Sequence, residues 1–456
     1  MQILETACGK IAGIEKDDCN VFLGVPYAHA KRFEYAEPVT SWENEYNNDG
    51  FFYANQLGKA CPQMRTYHEH LEIAERQFYH KEFREGLPFD YDEDCLNLNI
   101  WTPKNAGAGS NFPVMIFIHG GGFDSGTNTE SPFDGSCYAK RGIICIFINY
   151  RVGIFGYLTH PSIQAKFDRN GNFGLDDQLT AIMWVKKNIS SFGGDPENIT
   201  LAGQSAGAIS IQYLCLNHQN EGLFKNVIMI SGGGKFPDFA LPRPAEQNCT
   251  YWQDFLNFME NDSGSKIDFE VLKTMDAKII FDMLDKFKPT RKDNTYNTMP
   301  VIDGILITSP IQRLIKNPLK INYMLGYTNC DLYAPLMALI GHKFARANNG
   351  YVYFFDVNPK GDDGRKAFHS SDLRFILGTL EKSWRPYDDE DKKIANLIQE
   401  YIAAFVKTGN PNSSKTLPLW KVGGKKALHF TTGKIKMVKP PYLRLIYNML
   451  SGGKQI

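Results

Sequence analysis

Short apolar runs alternate with helix-patterned segments along this chain, and that alternation leaves few folds open. "LNLNIWTP" (96–103), "VMIFIHGG" (114–121), "IICIFINY" (143–150), "ITLAG" (199–203), "NVIMISGG" (226–233), "INYMLGYT" (321–328) and "YVYFFDV" (351–357) read as strands. Several are apolar at nearly every position, as in central strands covered on both faces. Between them, residues 175–192 and 389–411 carry helical spacing, the second closed by Gly409 and Pro411. Strands joined through helices predict an α/β fold with a mostly parallel central sheet flanked by helices. No internal repeat or long linker interrupts the 456 residues, so 1–456 is expected to be a single domain. The more polar region 235–320 is expected to form a helical side or cap region within it. Residues 235–248 read as its irregular start, and 451–456 as a frayed end.

Lys plus Arg equals Asp plus Glu, 50 against 50, which gives no support for nucleic acid or an anionic membrane as partner. No apolar run approaches the roughly 20 residues needed to span a bilayer. The N-terminal "MQILETACGKIAGIEKDD" lacks a basic segment followed by an apolar one, so a cytoplasmic location is expected, with secretion as the alternative. Nine scattered cysteines suggest core thiols and not a disulfide scaffold. Neither Cys nor His residues have metal-ligand spacing, so no metal and no cofactor are expected. The oligomeric state is not written in the sequence.

In "ITLAGQSAGAISI" (199–211) a serine stands alone between Gly203 and Gly207, after a strand and before an apolar helix. This is the G-x-S-x-G elbow: a sharp strand-to-helix turn that lifts a hydroxyl above the carboxyl edge of a sheet. Ser205 is the candidate nucleophile. A second cluster, "FIHGGGFDSG" (117–126), also follows a strand. The N–H groups of Gly121 and Gly122, with that of Ala206, form a candidate oxyanion hole. A phosphate loop is disfavoured, since neither G-x-G-x-x-G opening a helix nor G-K-[ST] is present.

A serine hydroxyl needs a general base. Of ten histidines, His29, His68, His70, His80, His160, His218 and His342 read as surface residues, and His119 as a support of the glycine loop. His429 lies late in the chain. His369, in a loop after the strand "YVYFFDV", is the best base in the order serine, acid, histidine. Asp331, at the end of "INYMLGYTNCD", is the candidate acid. Its competitor Asp303 reads as a structural turn residue.

With these residues in place, the chain resembles the type-B carboxylesterases, the group of para-nitrobenzyl esterases, carboxylesterases and cholinesterases. It looks like a trimmed bacterial-type member. The matches run nearly end to end: "FLGVPYAHAKRF" (22–33), "EDCLNLNIW" (93–101), "HGGGF" (119–123), "NYRVGIFGYL" (149–158), "FGGDPENITLAGQSAGA" (192–208), "FHSSDLRFILGT" (368–379) and "FVKTGNPN" (405–412). The resemblance implies an α/β-hydrolase fold and serine ester hydrolysis through an acyl-enzyme, with Ser205, Asp331 and His369 as triad. It implies carboxylic esters, short- to medium-chain or aryl, as small-molecule substrates. It also implies a pairing of Cys61 with Cys95, which a reducing compartment would leave as thiols, and a buried ion pair between Glu93 and Arg151.

Three departures stand out. Gln204 precedes the serine where many relatives carry Glu, and is expected to leave the chemistry untouched. The acid is Asp331 where most relatives have Glu. Only 38 positions separate it from the histidine (369 − 331), so a long helical insert is missing and a wider, more open cleft is expected. The loop from Cys61 to Cys95 holds no tryptophan, which speaks against choline esters. Feruloyl esterase, amidase and thioesterase activities use the same machinery. A non-catalytic adhesion module is the rival of another class, and a serine-directed organophosphate separates it from an enzyme.

Overall fold

The computed structural model describes residues 1–43, 49–68, 70–233, 242–291, 298–331, 334–413 and 418–450. Of the segments singled out above, 235–241 and 292–297 in the expected side region, and 451–456, lie outside these residues.

Twelve strands line up across one twisted sheet. They are β1 (Gln2–Thr6), β2 (Gly9–Glu15), β3 (Cys19–Pro26), β4 (Asn97–Pro103), β5 (Phe112–Ile118), β6 (Ile144–Ile148), β7 (Gly194–Gln204), β8 (Asn226–Ile230), β9 (Asn322–Thr328), β10 (Tyr351–Phe355), β11 (Ala427–Phe430) and β12 (Lys436–Val438). Their order is β1-β2-β3-β4-β6-β5-β7-β8-β9-β10-β11-β12, with a short strand Phe52–Ala54 beside β2. The block from β6 to β11 is parallel, while β1 to β4 at one end and β12 at the other are antiparallel. The mostly parallel sheet expected from the apolar runs is therefore present. The antiparallel N-terminal strands were not anticipated, because "QILET" and "GKIAGIE" are short and mix polar with apolar positions.

Period-two geometry explains why the central runs are apolar throughout. Along β5, Val114, Ile116 and Ile118 enter one core layer, while Met115 and Phe117 enter the layer on the opposite face. Helices α1 (Met64–Tyr67) and α2 (Ala74–Phe83) precede β4. The first layer is closed by helices α3 (Phe173–Asn188) and α4 (Ala206–Leu216) through Ala181, Val185, Ile211 and Leu214. Between β8 and β9, helices α5 (Ala245–Ser263), α6 (Phe269–Thr274) and α7 (Ala277–Phe287) add Trp252, Phe255, Phe281 and Phe287 to that same layer. After α8 (Ala334–Ala347), helix α9 (Asp389–Thr408) closes the second layer with Ile394, Ile398, Ile402 and Phe405. Each such side chain taken from water contributes roughly 1.5–3 kcal/mol. Helix α9 begins where the Asp388 carboxylate accepts the N–H groups of Glu390 and Asp391, and stops at Gly409, whose φ of 74° is left-handed.

Two expectations, a Glu93–Arg151 pair and a surface position for His342, are corrected here. Glu93 and Arg151 do not pair. Arg151 forms a two-pronged contact with Asp177, Nη2 to Oδ1 at 2.7 Å and Nε to Oδ2 at 2.8 Å, while Glu93 pairs with Arg32. Asp177 is fully buried in the second turn of α3, so it requires the guanidinium more than the half-buried Glu93 does. Cys61 and Cys95 are both buried and both free thiols; the contact with Cys61 and burial push the Cys95 thiol well above the usual range. His342 is a core residue and not a surface one. It packs on α8 with Nε2 3.2 Å from the Tyr327 hydroxyl and Nδ1 donating to the Gly424 carbonyl at 2.8 Å. Asp303 takes up the structural role expected of it, accepting the N–H groups of Ile305, Leu306 and Ile307. Among the described residues no helix is long and apolar enough to cross a membrane.

Candidate active site

Strand β7 ends at Gln204, helix α4 begins at Ala206, and Ser205 takes the whole turn. Its φ of 54° and ψ of −119° place it in a region that L-residues rarely occupy. The turn is held by backbone contact too close for side chains. A Cβ on Gly207 would sit 2.1 Å from the carbonyl oxygen of Ile118 at the end of β5, and one on Gly203 would sit 2.8 Å from the Gly207 carbonyl carbon. Two glycines therefore let α4 dock directly on the strand ends, and the Ser205 N–H donates to Ile230 O at 2.9 Å.

The glycine loop follows β5. Gly121 has φ of 114° and Gly122 of 66°, which turns successive amides away from the strand ladder. The N–H groups of Gly121, Gly122 and Ala206 have no acceptor among the described residues. His119 braces the loop: its ring stacks on Tyr150 at 4.3 Å, and the Tyr150 hydroxyl donates to its carbonyl. Burial lowers the His119 pKa to about 4, so the ring is neutral.

His369 and Asp331 come from loops that follow β10 and β9. Their contact, Nδ1 to Oδ2, is 2.5 Å, and Asp331 is buried. Burial works to lower the His369 pKa, but the Asp331 charge and this hydrogen bond outweigh it and hold it above 6.5. Gln204, expected to stay out of the chemistry, is in contact with it. Its Nε2 donates to His369 Nε2 at 3.0 Å and lies 2.8 Å from Ser370 Oγ. The last strand residue before the elbow points under the cleft, beside the imidazole. With Nε2 accepting and Nδ1 facing a carboxylate, the ring is the Nδ1–H tautomer. Ser205 Oγ makes no hydrogen bond to His369 in this state; the Gln204 amide occupies that lone pair.

Asp372, three residues past the histidine, is a second buried carboxyl that the sequence did not single out. Burial raises its pKa to about 6, against the hydrogen bond it accepts from Tyr353 at 2.8 Å, and its charge contributes to raising that of His369.

Gly120 to Gly122, Ser205 and His369 line one cavity of about 210 Å³. Each of them is half-buried, and the His369 side chain keeps 26% exposure, so the cleft is open to solvent. Among the described residues no group of three or more His, Cys, Asp or Glu is placed to hold a metal ion.

Residues 1–341 and 328–439 match the carboxylesterase family. The chain is 29% identical to a para-nitrobenzyl esterase of Bacillus subtilis (strain 168) over 476 aligned residues, 90% of this chain and 91% of that protein. It is 32% identical to a bile salt-activated lipase of Mus musculus over 365, covering 75% of this chain and 53% of that one. A solved PNB esterase superposes with a TM-score of 0.81 at 26% identity, covering 98% of this chain and 99% of that structure.

Proposed function

The chain belongs to the carboxylesterase family, has its α/β-hydrolase fold and is a carboxylic ester hydrolase; from that premise we propose that Ser205, His369 and Asp331 are its catalytic triad. The observation that carries this reading is the strained Ser205 beside an imidazole already oriented by a carboxylate. Once Gln204 releases Nε2, His369 takes the Ser205 proton as Oγ attacks the ester carbonyl. The N–H groups of Gly121, Gly122 and Ala206 stabilise the tetrahedral oxyanion. His369 then returns the proton to the leaving alkoxide, which departs as the alcohol. Water attacks the acyl-enzyme, His369 accepts its proton, and the carboxylic acid leaves as Ser205 is re-protonated. Loss of one oxyanion donor typically costs on the order of 10²–10³ in kcat.

A cleft of about 210 Å³ is smaller than the roughly 300–1,000 Å³ of drug-sized pockets, which favours short- to medium-chain acyl or small aryl esters. Helices α5 to α7 act as a side region of a single hydrolase domain. The nine thiols suit a reducing cytoplasmic setting. The test is a fluorophosphonate: it must attach at Ser205 in peptide mapping and abolish hydrolysis of p-nitrophenyl acetate, and Ser205→Ala must do neither. Labelling at another serine overturns the assignment. Aryl esters, thioesters and amides compared on the same protein separate the esterase from its relatives in chemistry.

A further inference from the structure

The cleft around Ser205 carries charge that ester hydrolysis itself does not use. Arg65, on the single-turn helix Met64–Tyr67, and Glu130 line the same cavity as Ser205. Glu130 Oε1 accepts from Arg84 Nη1 at 3.2 Å, and Arg84 is buried. Arg65 Nη1 stays 3.9 Å from that same oxygen. One carboxylate thus faces two guanidinium groups, and the cluster keeps a net positive charge. The Arg65 side chain is only 19% exposed, and among the described residues its N–H groups make no hydrogen bond. Behind it, Arg76 and Arg84 line a space of about 10 Å³, which holds no more than one water. An anion large enough to pair with Arg65 fits the cleft of about 210 Å³ and not this space.

A largely desolvated guanidinium held only by a long contact to a carboxylate that it shares with Arg84 is poorly compensated, and its fork matches a second carboxylate in a two-pronged contact. Phe83, Phe133 and Leu373 line the same cavity and give it apolar surface that suits a short methylene spacer. We propose that Arg65 is a specificity-determining residue that binds a carboxylate on the substrate, so that the preferred esters carry a free carboxylate, such as half-esters of short dicarboxylic acids. This rests on the triad reading above.

The test compares monoethyl glutarate with ethyl 5-methylhexanoate, whose isopropyl end has the shape of a carboxylate without its charge, by pH-stat at pH 8. The unmodified protein should favour the half-ester in kcat/KM. Arg65→Met should lower the ratio of half-ester to neutral ester by about ten- to hundredfold, and Arg65→Lys should recover part of it. A ratio near one in the unmodified protein, or one that Arg65→Met leaves within twofold, overturns the inference. Should Arg65→Met fail to fold, the unmodified protein decides: glutarate must inhibit neutral-ester turnover more strongly than 5-methylhexanoate, and equal or weaker inhibition overturns it. Hydrolysis of neither ester, or equal hydrolysis by Ser205→Ala, defeats the triad reading instead. Ser205-dependent turnover with a flat ratio defeats only the role of Arg65.

Discussion

His369 has both ring nitrogens engaged before any substrate arrives: Nδ1 with Asp331 and Nε2 with the Gln204 amide. Only the neutral ring can take the serine proton. Because the folded pKa lies above 6.5, kcat/KM for a neutral ester should be lost as pH falls through a midpoint above 6.5. A midpoint below 6.5 contradicts the assigned base. Asp331→Asn removes the group that fixes the tautomer, and kcat should drop by on the order of 10⁴, as in other triads. Gln204 acts with a different sign. Its N–H stabilises the lone pair of the neutral ring and so depresses the pKa. Gln204→Ala should therefore move the acid limb upward. A limb that stays in place or moves down shows that the amide does not sit on the imidazole.

The elbow is an agreement between two elements and not a property of the serine alone. Helix α4 rests on the end of β5 with no side chain between them at Gly207. Gly207→Ala places a methyl group against a carbonyl that cannot yield, so stability should fall by about 1–3 kcal/mol, read as a lower Tm. The Ala206 N–H shifts with the helix, so kcat should fall more than KM rises. Helix α3 is tied to the loop after β6 by Arg151 and Asp177. Asp177→Asn leaves a buried guanidinium unpaired and should cost about 3–5 kcal/mol in chemical denaturation. Glu93→Gln, at a half-buried pair, should cost about 1 kcal/mol or less. The reverse ranking would restore the Glu93–Arg151 pairing that the family resemblance implied.

Across the whole molecule, the features legible in the sequence are those that repeat or that need a rare residue. The central strands were legible because two covered faces make every position apolar, and the elbow because only glycine fits at 203 and 207. The strands β1 and β2 were not, since strands that mix polar and apolar positions leave a weak signal. Nor were the contacts of Gln204, Asp372 and Arg65, which depend on loops meeting from distant parts of the chain. The state of the cysteines belongs to this second class, because pairing depends on proximity and redox setting together. All nine are free, and Cys61 and Cys95 touch without bonding. Only Cys137, Cys249 and Cys330 are better than fully buried, and burial pushes each of their thiols up, Cys137 to about 12. Ellman's reagent should thus react slowly with at most three sites on the native protein, since the thiolate is the reacting form. In denaturant without reductant it should count nine, and prior reduction should change neither that count nor the Tm. A count of seven that rises to nine on reduction would mean that one pair is bridged. The Cys61–Cys95 loop would then gain the few kcal/mol that closing such a loop confers, and the protein would belong to an oxidising compartment.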